Sequence, residues 1–481
     1  MSPRVVRWTG LSGSVLIGAS AYLGGSSFTR VPLLTVPQLL RGDRGPLLPV
    51  CWIAGLALLL GAWWAGRRVV PSTRWAVITV ALWVVPVLPM LPLGSEDIYA
   101  YACQGWVQHA GGDPYAAGVQ SFGCPWLGSV STTWRNSPAP YGPLFLLLAG
   151  WAVGAGRNLE GVIAGLRVIA LAGLALVAAG VPVLARRAGI DPAKAVWTVL
   201  ACPLVLIHLV SGAHNDAVMI GLLVAGLAVV GPAVVGPAVV GPAVVGERRS
   251  LAALVAAGAL LGLAGSVKAT ALVVLPFAVL AAMPSGSSVR LLWRPAALIA
   301  AGVAGAMAAV SLLAGRGFGW VTGLSHSGDT VEWTSPSTAT GLTVEYLTGR
   351  HVLGVTRTIG LVVLVVALIW LWWRARTQDA IVGAGLALAA TVLCAPVFHP
   401  WYATWPLAVL AAALVTRIRW VLVPCVVAST LTLPSGHNWA LATRLPGSLV
   451  MTGALVAAAV YWGRRWLITS TAVREPDAEA P

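Results

Sequence analysis

Long apolar runs, broken at short intervals by arginine, glycine and proline, recur along the whole chain. A helix needs roughly 20 such residues to cross about 30 Å of hydrocarbon. On that measure crossings are expected near 8–24, 46–66, 74–93, 162–185, 195–212, 217–235, 251–267, 269–283, 295–314, 357–373, 380–397, 401–416, 420–433 and 447–463. The pattern predicts an all-α, polytopic integral membrane protein with about 13–14 transmembrane helices, because helices satisfy their own backbone groups in lipid. Residues 1–466 read as one transmembrane domain and 467–481 as a cytoplasmic tail. The first run follows Arg4 and Arg7 and is read as a retained helix, since no clear cleavage site comes after it.

Composition sharpens this picture. Hydrophobic residues make up 58 % of the chain and charged residues 9 %, against roughly 25 % charged in soluble domains, so a soluble multidomain chain is excluded. The net charge of +15 would suit a nucleic-acid partner only if the cations formed a patch. Instead they come in pairs between apolar runs, a sign of topology. Fourteen crossings place both termini in the cytoplasm and put 19 of the 30 basic residues on that side, which satisfies the positive-inside rule. Keeping that balance requires residues 141–156 to be a re-entrant or interfacial outer helix beginning at Pro143. The Gly-Pro-Ala-Val-Val repeat over 231–246 cannot continue a regular helix. It reads as an insertion in a cytoplasmic turn.

The rare polar side chains then gather on the outer face. The loop 94–141 opens with Glu96 and Asp97, two of only 15 acidic residues, at the end of an apolar run and among Tyr99, Tyr101 and Trp106. A carboxylate pair at a bilayer surface has a solvation cost, and one placed there is suited to act as general base on an incoming hydroxyl. His214, Asn215 and Asp216 mark the next outer turn, where a helix-capping role competes with a functional one. Lys268 interrupts an apolar stretch at a depth that suits a lipid phosphate, although a lone Lys also snorkels. His399 to Trp405 and His437-Asn438-Trp439 form aromatic outer turns, and 315–356, with His326, Asp329, Glu332 and Trp333, forms a second outer segment suited to a lid or acceptor surface.

No HExxH, no CxxC and no histidine pair at i, i+4 is present, so neither a dedicated metal site nor a cofactor is expected. Cys103 and Cys124 share the outer loop. Bridged or free, both states remain open from sequence; a bridge would close a loop worth roughly 3 kcal/mol.

The ordered set of Ser-x-Asp-x-Tyr-x-Tyr at 95–101, Asp-Pro-Tyr at 113–115, Pro-Tyr-Gly-Pro at 140–143, His-Asn-Asp at 214–216 and Pro-Trp-Tyr-x-x-Trp at 400–405 resembles the actinobacterial polyprenol-phosphomannose-dependent α-1,6-mannosyltransferases. These are integral-membrane glycosyltransferases of the GT-C fold. Glu96 stands where that family usually has Asp. The resemblance implies an outer active site on the plasma membrane, a first-loop acid as base and a polyprenyl-phosphate mannose donor. It also implies a lipid-linked mannan acceptor and an α-1,6 linkage of the lipomannan type. On this expectation Asp97 and Glu96 are catalytic. Lys268, His214, Asn215, Asp216, Arg135, Tyr99, Tyr141, His399 and Tyr402 bind the donor phosphate or substrate. Membrane lipid is a partner and nucleic acid is not. Two other readings stand beside it: a different GT-C transferase of α-1,2-mannosyl or arabinosyl type, and a transporter of lipid-linked saccharide. The polar groups crowd one face without half-to-half symmetry, which argues against transport.

Overall fold

The computed structural model describes residues 1–24, 46–230, 251–323, 330–414, 418–434, 440 and 443–472. The repeat at 231–246, His326, Asp329 and His437-Asn438-Trp439 lie outside the described residues. Helices form the architecture, with no strand among the described residues.

Among the described residues, five helices are long and apolar enough to cross a bilayer: Leu47–Val69, Leu159–Arg187, Trp293–Ala314, Leu353–Ala375 and Arg444–Trp462. A sixth span forms if Pro192–Leu200 and Val205–Ser211, bent by 65° at Pro203, are taken as one. Seven more apolar helices are shorter, including Thr73–Val84, Asp216–Val230 and Ala380–Cys394. The protein is therefore a multi-pass membrane protein. The most apolar window of Leu353–Ala375 has none of its residues buried inside the molecule. A helix that exposes Ile359, Val362, Val366 and Ile369 together is solvated by lipid, not by water.

Several expected crossings are shorter or more broken than their hydropathy suggested, and proline explains most of it. The run 74–93 stays helical only to Val84; Pro86, Pro89 and Pro92 then remove donors and carry the chain on irregularly. The run 401–416 begins as the short 3-10 turn Pro400–Ala403 before the helix Thr404–Ala413. Lys268 falls between the helix Leu251–Gly265 and the 3-10 turn Ala269–Val274. At the other end the last helix runs from Arg444 to Ala472, beyond the expected start of the tail. Close approach of backbones replaces a hydrophobic driving force between helices in lipid: a side chain on Gly173 would meet the backbone of Ala217, and one on Gly221 the backbone of Gly173.

The helix Pro143–Gly156 begins where the sequence placed it. It packs on Asp97–His109, with Gly105 against Ala149, and presses the outer-loop helix into the molecule. One buried charge organises the same end. Arg167, inside Leu159–Arg187, donates to the carbonyls of Leu88 at 2.5 Å, Met90 at 2.8 Å and Ser211 at 3.0 Å. It thereby fixes both the proline segment that leads to Gly94 and the turn that leads to His214.

Candidate active site

Gly94 starts the site. Its φ of +73° lies in the left-handed region, and a Cβ there would press on His208 and Ile207, so glycine alone turns the chain sharply at this point. Ser95 Oγ then accepts the Asp97 N–H at 3.1 Å, and the Glu96 carbonyl accepts from Tyr99 at 3.1 Å. The helix Asp97–His109 starts here, with Asp97 in its first turn, where the helix dipole favours a carboxylate. Asp97 and Tyr101 are four residues apart and share one face. Tyr99 is fully buried two residues along, on a different face.

Asp97 Oδ1 accepts the indole N–H of Trp134 at 2.9 Å. Its Oδ2 lies 3.9 Å from His214 Nδ1, and the side chain remains 14 % exposed. His214 is brought there by a tight turn in which Ala213 adopts φ +46°, a strained conformation for alanine. Tyr101 Oη and His214 Nδ1 are 3.1 Å apart. His214 Nε2 is buried with no hydrogen-bond partner among the described residues, as are both side-chain polar atoms of Asn215. The His214 ring stacks on Trp401 at 3.9 Å, and Trp401 stacks on His399 at 4.6 Å. The three rings form a short wall.

His399 Nδ1 sits 3.5 Å from Glu332 Oε1. The segment carrying Glu332 is stitched to the turn that carries His399: Thr334 donates to the Phe398 carbonyl at 2.9 Å, Ser335 to Ala395 at 2.6 Å and Thr338 to Pro396 at 2.6 Å. The second outer segment is thus joined to the cluster itself.

Beyond the wall Asp216, fully buried, accepts from Lys268 Nζ at 2.9 Å and from Trp405 Nε1 at 2.6 Å on one oxygen. Lys268 lies over the rings of Tyr402 at 4.7 Å and Trp405 at 5.1 Å. Such a cage holds an ammonium by ion pairing and by the ring quadrupoles together. The Pro-Tyr-Gly-Pro segment docks beside it, with Gly142 N–H on the Val267 carbonyl at 3.1 Å and Leu144 N–H on Ser266 at 3.0 Å. A side chain at 142 would collide with the Ser266 backbone. Tyr141 meets Tyr101 edge-on at 5.2 Å.

Electrostatics separates these groups. Burial pushes the Asp97 carboxyl above the ordinary carboxylate range; His399, the Trp134 hydrogen bond and Lys268 pull it back, and Asp216 adds to the rise. Burial, helped by His208, Lys268 and His399, holds His214 well below its usual value and therefore neutral. Burial lowers His399 as well, but Glu332 and Asp97 outweigh it and the net shift is upward. The site thus holds a carboxylate with an open edge, a neutral imidazole beside it and two groups fitted to carry positive charge. Among the described residues no three His, Cys, Asp or Glu side chains are arranged to hold a metal ion.

Asp97, His214, Asp216, Lys268, Tyr141, His399 and Tyr402 therefore converge. Arg135 is differently placed: its guanidinium donates to the Val130 and Gly128 carbonyls of its own loop. Trp401 and Trp405 belong to the Pro-Trp-Tyr-x-x-Trp motif but are given no site role by the sequence, and Trp134 is outside every motif. Nothing local marks Trp134. Cys103 and Cys124, whose pairing the sequence leaves open, form a disulfide that ties the helix Asp97–His109 to the loop that follows it.

The chain matches the family model described as α-(1→6)-mannopyranosyltransferase, N-terminal domain, over residues 7–284. It matches the MptB C-terminal domain over 337–463. It is 35 % identical over 433 residues to α-(1→6)-mannopyranosyltransferase A of Mycobacterium tuberculosis, covering 84 % of this chain and 79 % of that one. A probable α-(1→6)-mannopyranosyltransferase of Mycolicibacterium smegmatis is 31 % identical over 86 % of this chain and 79 % of its own. Α-(1→6)-mannopyranosyltransferase A of Corynebacterium glutamicum is 29 % identical over 73 % and 76 %. No solved structure matches. The chain belongs to the α-(1→6)-mannopyranosyltransferase family of membrane glycosyltransferases.

Proposed function

We propose that this protein transfers mannose from polyprenyl-phosphate mannose to a lipid-linked mannan on the outer face of the plasma membrane, forming an α-1,6 linkage. The observation that carries the reading is the Asp97 carboxylate: partly open, raised in basicity by burial, and set beside a neutral histidine and a caged lysine. The relatives' names supply the sugar and the linkage, and the cluster supplies groups for the chemistry.

The donor enters from the bilayer with its phosphate toward Lys268 and His399. The acceptor hydroxyl approaches Asp97 along the groove between the loop 94–141 and the segment that carries Glu332. As the hydroxyl oxygen bonds to the anomeric carbon, Asp97 Oδ2 takes its proton and the bond from that carbon to the phosphate oxygen breaks. The electron pair leaves with the phosphate, where positive charge stabilises it. One displacement inverts a β-linked donor to an α product. His214, hydrogen-bonded to Tyr101 and stacked on Trp401, positions the carboxylate. The disulfide suits an oxidising compartment and agrees with outward orientation.

The test is transfer from radiolabelled polyprenyl-phosphate mannose to a short α-1,6-mannoside by membranes holding the wild type or Asp97→Asn, with linkage analysis. An α-1,6 product formed by the wild type alone is the expected result. Near-normal turnover by the variant removes Asp97 as base, and another linkage or sugar preference replaces the substrate assignment.

A further inference from the structure

The helix Leu159–Arg187 links two ends of the molecule. Arg167 lies near the Asp97 end, bonded to Ser211. Arg187 is 20 residues further on, about 30 Å along the axis at 1.5 Å per residue. Ala380–Cys394 spans the same two ends in the opposite direction, from Asp379 to the turn that carries His399. At the end remote from Asp97 lies a cavity of about 430 Å³ lined by Arg187, Arg376, Asp379, Ser285 and Ser287, among others.

Its cations are unlike the others of the chain. Nε and Nη1 of Arg187 and Nε of Arg376 are buried, with no hydrogen-bond partner among the described residues. Neither residue is fully enclosed, and the Arg376 guanidinium also lies over the Trp373 ring at 4.6 Å, but buried N–H groups left without acceptors favour a ligand that supplies them. Asp379 Oδ1 caps its own helix, accepting the N–H groups of Ile381 at 2.7 Å and Val382 at 3.1 Å. Gly286, at φ +81°, turns the serine-rich loop so that its N–H bonds the Arg376 carbonyl at 2.7 Å. That bond fixes the mouth. Planar guanidinium forks and a hydroxyl such as that of Ser285 are donors that tetrahedral oxyanions match, whereas the Ser287 hydroxyl already donates to the Pro284 carbonyl at 2.6 Å. The volume is many times the roughly 30 Å³ share of one water, enough for a phosphate with an organic group attached. Beside it Val289, Leu291 and Trp293 are exposed and alternate with Arg290 and Arg294. Such an edge sits where acyl chains meet headgroups.

We propose that this cavity is a second binding site, for a phosphate ester: the headgroup of an anionic lipid or a soluble organic phosphate. It is separate from the mannosyl-transfer site and does not depend on which sugar is moved.

The full chain is placed in phosphatidylcholine nanodiscs with or without phosphatidylinositol, and retained lipid is followed by native mass spectrometry. In parallel, thermal unfolding in detergent is followed with and without glycerol 3-phosphate. Preferential retention of phosphatidylinositol identifies a lipid ligand; stabilisation by glycerol 3-phosphate alone identifies a soluble one. In either case Arg187→Gln/Arg376→Gln weakens the effect about tenfold or more, whereas Arg74→Gln, outside the cavity, leaves it unchanged. Wild-type protein that binds neither probe, or a double variant that binds as well as wild type, overturns the proposal. Should the double variant fail to fold, phenylglyoxal labelling of the wild type decides. Protection of Arg187 and Arg376 by either probe supports the site, and equal labelling with and without both probes overturns it.

Discussion

Asp97 and Asp216 belong to one cluster, yet their surroundings give them opposite characters. Asp216 is completely enclosed and shares one oxygen between an ammonium and an indole. Asp97 has one indole donor, a neutral imidazole nearby and a partly exposed edge. An enclosed carboxylate cannot meet an incoming hydroxyl. On the proposed mechanism, environment and not residue type selects the base, and Asp216 would serve by holding Lys268 where a leaving phosphate needs it.

The strongest way to break that contrast is to exchange the roles. Asp97→Asn keeps the shape and removes the proton acceptor, and general-base contributions are about 10²- to 10⁴-fold. Transfer should fall by that factor while the protein stays inserted and thermal inactivation is unchanged. If Asp216→Asn produced the same loss with normal stability, the assignment of roles would be reversed.

Asp216→Asn is expected to show itself chiefly in stability. Removing one partner of a buried pair leaves the other charge uncompensated, at a cost of about 3 kcal/mol; Lys268 is 13 % exposed, so the cost should sit at or below that figure. Earlier thermal inactivation in detergent, with a raised KM for the donor, is the expected pair of readouts. Cys103→Ser tests the frame instead of the chemistry. Loss of a bridge across 21 positions should cost up to about 3 kcal/mol. Turnover at low temperature should persist, because Asp97 remains anchored by Ser95 and Trp134.

How much of this was legible beforehand follows from the physics of each feature. Hydropathy has a strong one-dimensional signal, so the helical, multi-pass class and the Pro143 helix start could be read directly. Helix length could not, because proline and buried polar contacts break runs that look continuous, as at 85–93 and around Lys268. Arg167 was hidden for the same reason: inside an apolar run it looks like an interruption, and only the three carbonyls around it reveal its task. His214, Asp216, Lys268 and His399 stood out because polar groups in lipid are rare. Their pairings did not, since Lys268 with Asp216 and Glu332 with His399 join residues more than 50 positions apart. Trp134 is one of 23 tryptophans and gains its meaning only from where its N–H points.

That tryptophan provides the finest test of the contrast. Its hydrogen bond to Asp97 Oδ1 favours the charged carboxylate and so lowers a pKa that burial has raised. Trp134→Phe removes the donor and keeps most of the ring, so Asp97 should become easier to protonate. Because the base acts only when deprotonated, activity is lost as the pH falls through the Asp97 pKa, and the acid limb of the pH–rate profile should move to higher pH. Turnover on the alkaline plateau should change little. The corresponding removal at the other carboxylate, Trp405→Phe, should leave that limb in place, since the Trp405 N–H bonds Asp216 and not Asp97. Parallel pH profiles of the two variants measure the distinction, and an equal shift in both would mean that the acid limb reports the cluster as a whole and not Asp97.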